Sequence, residues 1–93
     1  MSHYQFEAQV WADEGPGAWH FVTLPADLSE RIKAVRSRNA ARKVEARIGK
    51  SNWSTALFPH HDTYVLPVKA DVRRREVICV GDRVEAFIEI VSG

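Results

Sequence analysis

The sequence predicts a mainly β domain, a small closed or partly closed β-barrel with two short helices. Three observations carry the prediction. Apolar and polar residues alternate over several short segments, the period of a half-buried strand. Gly and Pro punctuate those segments at close intervals. Helical apolar spacing appears in only two places. Ninety-three residues make one domain with one modest core, and so short a set of strands leaves edges that closure removes.

The first element is YQFEAQVWA. Tyr4, Phe6, Ala8 and Val10 alternate with Gln5, Glu7, Gln9 and Trp11, which marks a strand with one buried face. EGPG follows: Pro sets one φ and the flanking glycines admit positive φ, so the chain should reverse. AWHFVTL reads as the returning strand, with Trp19, Phe21 and Thr23 on one face and His20, Val22 and Leu24 on the other. Both faces are largely apolar, so the strand is expected inside the sheet, with Trp19 and Phe21 filling the barrel.

LPADLSERIKAVRSR changes period. Leu28, Ile32 and Val35 form one helical stripe, Pro25 stands near its start, and Asp27 and Glu30 favour the N-terminal end of the dipole. KVEARIG alternates again, with Val44, Ala46 and Ile48 inward, and Gly49 ends it. NWSTALFP pairs with it as a hairpin. After HHD, the strand TYVLPV contains Pro67, which cannot donate to a ladder and so ends the strand or puts it at an edge. KADVRRRE is a helix of about two turns. A Gly-Asp turn leads into the closing strand, RVEAFIEI, with Val84, Ala86, Ile88 and Ile90 on one face. The order is β-β-α-β-β-β-α-β.

Taken together, GAWHFVTLP, KVEARIG, STALFP, YVLPVKADVR and GDRVEAFIE resemble the bacterial family known as domain of unknown function 1905, along the whole chain. The resemblance implies a small β-barrel whose last segment is similar to the helix and Gly-Asp hairpin of AbrB-like, double-split barrels. Members are often joined to, or encoded beside, a domain of the bacteriocin-protection, OmpD-associated type, which implies an accessory module. In this chain Glu76-Val77 stands where the family has Leu-Gly before the Gly-Asp turn. Val takes a left-handed C-cap only at a cost, so the helix end is expected to differ in shape.

No apolar run approaches the length of a membrane helix, and the start has neither a basic leader nor an apolar signal core, so a cytoplasmic protein is expected. The single Cys79 sits between apolar neighbours in VICVGD and reads as a small buried hydrophobe. Net charge is +1, which excludes a polycation. Its distribution is uneven: residues 1–30 contain acids and no Lys or Arg, whereas Arg31, Lys33, Arg36, Arg38, Arg42, Lys43, Arg47 and Lys50 face Glu45 alone.

Four chemistries can be weighed. His60, His61 and Asp62 read as a solvated turn, since adjacent imidazoles on a strand diverge and no spaced metal motif accompanies them; no metal or cofactor is expected. His20 could act as an acid or base, but no second titratable group is placed with it by spacing. Nucleic acid would use Lys43, Arg47, the loop bases Arg38 and Arg42, and Arg73, Arg74 and Arg75, with Trp53 to stack. A small ligand would use a barrel mouth lined by Trp11, Trp19, Trp53, Tyr64 and Phe58. Trp11 and Trp53 are expected at the surface.

The expected function is a non-enzymatic binding or accessory module. Its surface for a small ligand or protein partner comprises Trp53, Lys43, Arg47, Arg73, Arg74, Arg75 and His20. The alternatives are an AbrB-like nucleic-acid-binding module and, third, a small enzyme using His20. Monomer and homodimer both fit a barrel of this kind.

Overall fold

The structure, a computed structural model, describes residues 3–15, 17–35 and 41–91. Alternation translates into strands at β1 (His3–Ala12), β2 (His20–Thr23), β3 (Arg42–Ile48), β4 (Ser51–His60), β5 (Thr63–Pro67) and β6 (Arg83–Ile90), with helices α1 (Ala26–Val35) and α2 (Ala70–Glu76). The strands close into an antiparallel barrel in the order β1-β2-β5-β4-β3-β6. β2 lies between β1 and β5, as two apolar faces predict. Pro16, Arg36, Arg38 and the side chain of Val35 lie outside the described residues.

The inward sets of β1, β3 and β6 are those the period-two pattern picks out. Phe6, Ala8 and Val10 meet Val44, Ala46, Ile48, Ala86 and Ile88 in the core. From α1, Leu28 and Ile32 join them, and the buried Ser29 hydroxyl accepts the Tyr64 backbone N–H at 3.2 Å. That bond ties the helix to β5.

In β2 the two faces are the reverse of the expectation. Val22 and Leu24 are buried, while Trp19 is 59% exposed and Phe21 is half-buried. Phe21 packs outside the barrel against Trp11 in a tilted arrangement, centroid to centroid 5.0 Å, and stacks with Trp19 at 6.3 Å. The register Trp11↔Phe21 explains this, because Trp11 already points away from the core that Val10 enters. Trp11 is half-buried, its indole N–H donating to Thr23 Oγ1 at 2.8 Å.

Trp53 is also corrected: it faces inward, 5% exposed, opposite Ala46. The small Ala8, Ala46 and Ala86 of the core leave room for an indole, the large-against-small filling typical of narrow barrels. Arg42 is a buried β3 residue, not a loop base. Cys79 is exposed, because the loop after α2 stays at the surface; Asp82 Oδ2 accepts the Cys79 N–H at 2.8 Å and holds the turn.

The end of α2 does not differ in shape from a left-handed cap. Val77 adopts φ 56° and ψ 55°. The Ile78 N–H bonds to Arg73 O at 2.9 Å and the Val77 N–H to Arg74 O at 3.4 Å, the paired bonds of a Schellman ending. The hydrogen bonds that end the helix impose on a β-branched residue a conformation that glycine adopts freely. Val77 is 80% exposed, so its side chain returns little in packing. Val77→Gly is therefore expected to raise stability by about 1 kcal/mol, read as a higher urea midpoint with unchanged slope; a lower midpoint would show that the cap is unstrained.

Candidate functional site

Register and one proline create the site. Lys43 O accepts the Val91 N–H at 3.0 Å, so the backbone of Lys43 and its alternate neighbours faces β6. Val44, Ala46 and Ile48 then turn theirs toward β4, where their partners are Thr55, Trp53 and Ser51. Asn52, Ser54 and Ala56 consequently turn their backbone groups to the opposite edge. There β5 pairs with β4 only over Phe58–His60. Continuing that register would bring Pro67 opposite Ala56, at a position that requires an N–H Pro lacks. The ladder stops, and the barrel wall has a seam between β4 and the β5–α2 junction.

A pocket of about 280 Å³ occupies this seam, lined by Gly17, Ala18, Trp19, His20, Trp53, Ser54, Thr55, Pro67, Val68, Lys69, Ala70 and Arg73. Its volume falls just below the range of small-molecule sites, about 300–1,000 Å³. Three residues singled out from the sequence, His20, Trp53 and Arg73, meet in it.

Both ring nitrogens of His20 have a close partner. Arg73 Nη1 lies 3.3 Å from His20 Nε2, and His20 Nδ1 lies 2.9 Å from Ala18 O. A guanidinium only donates and a carbonyl only accepts. For both contacts to be hydrogen bonds, Nε2 accepts and Nδ1 donates. Arg73 Nε donates to Val68 O at 3.1 Å, which holds the guanidinium across the pocket floor. The Trp53 indole N–H is buried and has no hydrogen-bond partner among the described residues.

The remaining predicted residues lie elsewhere. Arg74 pairs with Asp71 on the exposed side of α2, and Arg75 is exposed. Lys43 and Arg47 project from the outer face of β3, the face opposite Trp53. Arg47 sits 4.2 Å above the Phe87 ring, and Glu45 stands between the two bases with Glu89 opposite it on β6. The expected single surface therefore divides in two: register puts Trp53 on the inner wall and the β3 bases on the outer one.

Of the other mouth aromatics, Tyr64 is fully buried in the core and Phe58 is exposed on β4, away from the pocket lining. His60 and His61 occupy the β4–β5 turn, ring centroids 4.3 Å apart, with His61 at φ 56°. Among the described residues, no cluster of His, Cys, Asp and Glu has metal-binding geometry, and no helix is long and apolar enough to cross a membrane.

Sequence reading gives no hint of Lys69 in the pocket, and it names Trp19 for a ligand mouth while expecting its side chain in the core. Pro67 is the available signal for both: a strand broken by Pro just before a helix marks where a wall opens, and the residues flanking the break line the opening.

Among curated proteins none matches the chain's sequence. The profile described as Domain of unknown function (DUF1905) matches residues 6–88, a span running from the first barrel strand to the last. Because that match covers nearly the whole chain, the chain belongs to the DUF1905 family.

Proposed function

We propose that this domain is a non-enzymatic binding module whose ligand site is the seam pocket between β4 and the β5–α2 junction. One observation carries the reading: a preformed cavity of about 280 Å³ gathers Trp19, His20, Trp53 and Arg73, combining apolar walls with a few fixed polar groups, as small-molecule sites do. Against catalysis by His20 stands the engagement of both its ring nitrogens. No carboxylate lines the pocket to complete an acid–base pair. The nucleic-acid alternative needs a contiguous basic stripe, and Glu45 and Glu89 interrupt the one on β3.

A fragment library of neutral and charged small molecules, screened by nitrogen-detected amide and indole NMR spectra of the full chain, tests this reading. Bound fragments are expected to shift the signals of Trp19, His20 and Trp53. Hits confined to the Lys43 and Arg47 face, or no hits at all, would overturn it.

A further inference from the structure

We infer that the seam pocket takes a small organic carboxylate, a compact apolar body carrying one carboxylate group; this rests on the ligand-site reading above. The argument starts from charge. Arg73 and Lys69 both line the pocket, and no acidic side chain does. Among the described residues neither is paired with a carboxylate, although Arg74 on the same helix as Arg73 is. Arg73 is held in place through Nε and Nη1 by Val68 O and His20, and its Nη2 end has no partner among the described residues. A guanidinium already oriented in this way loses little freedom on binding, and its planar donors match a carboxylate.

His20 contributes by its tautomer. Because Nε2 accepts from Arg73 and Nδ1 donates to Ala18 O, the ring braces the cation without adding an acceptor that would compete with the ligand. The other walls, Trp19, Trp53, Pro67 and Val68, suit an apolar body. They also disfavour a dianion such as phosphate, whose second charge would be desolvated against them.

Benzoate, its neutral isostere benzamide, and inorganic phosphate discriminate this inference when titrated separately into the full chain and followed through the indole N–H signals of Trp19 and Trp53. Benzoate is expected to bind about tenfold more tightly than benzamide, the ratio a charge-assisted bond supplies. Arg73→Gln should reduce benzoate to the affinity of benzamide. Lys69→Gln, an exposed substitution that leaves the packing intact, should weaken benzoate severalfold and leave benzamide unchanged, so the test survives if Arg73→Gln fails to fold. Equal binding of benzoate and benzamide at these tryptophans would overturn the carboxylate inference and leave the ligand-site reading standing. Phosphate binding as tightly as benzoate would also overturn it, pointing to a general anion site. If neither aromatic probe moves the pocket signals and the fragment library is silent there too, both readings fall.

Discussion

Trp53→Ala is expected to lower the free energy of unfolding by about 3–5 kcal/mol, while Trp19→Ala lowers it by less than about 1.5 kcal/mol. Both residues are tryptophans near the same pocket, so composition does not separate them. Burial does: Trp53 is enclosed by the barrel core, whereas more than half of Trp19 remains in solvent. Removing the first leaves a cavity the size of an indole among residues already close-packed. Removing the second forfeits the contact with Phe21 and little else. Urea unfolding of the two variants measures the difference; equal losses would mean that Trp19 belongs to the core after all.

A second large effect is expected in β2. Val22→Asp should abolish the fold, costing more than about 3–5 kcal/mol, because an unpaired carboxylate would be buried in the barrel. Val22 has no exposed surface. Thr23→Asp, one position along, should cost less than about 1 kcal/mol, since that side chain faces outward and a carboxylate can still accept the Trp11 N–H. Dispersion of the amide NMR spectrum reads the outcome directly. A folded Val22→Asp beside an unfolded Thr23→Asp would reverse the assignment of the faces.

Where one face of a strand is polar, the inward set can be read without a structure. Val44, Ala46 and Ile48 alternate with Lys43, Glu45 and Arg47, and all three are buried. The same holds for Phe6, Ala8 and Val10. β2 is different because Trp19 and Phe21 compete with Val22 and Leu24 for the interior, and hydrophobicity alone ranks the aromatics first. The pairing of Phe21 with Trp11 settles the competition, and pairing is a long-range property. Val77 shows a comparable limit. Local preference argues against a left-handed valine, yet the hydrogen bonds that end α2 impose one.

The candidate site divides along the same line. His20, Trp53 and Arg73 stand out in the sequence as an imidazole on an apolar strand, an additional indole and a base in a cluster; nothing local places them together. Lys43 and Arg47 are equally conspicuous, but their alternation with inward residues sends them to the opposite side of the β3 wall. Pro67 links the two levels, since its missing N–H is a property of one residue and the seam it opens is a property of the barrel.

By itself, the sequence determined the element order, the small-barrel class, the family and the inward faces of β1, β3 and β6, because period and punctuation are local signals. The tertiary structure alone decided which aromatics fill the core, that Cys79 and Val77 are exposed, and that His20, Trp53, Lys69 and Arg73 share one pocket. The choice of core aromatics depends on strand register across the barrel. A shift of one residue exchanges the two faces of a strand, and when both faces are apolar no local pattern chooses between them.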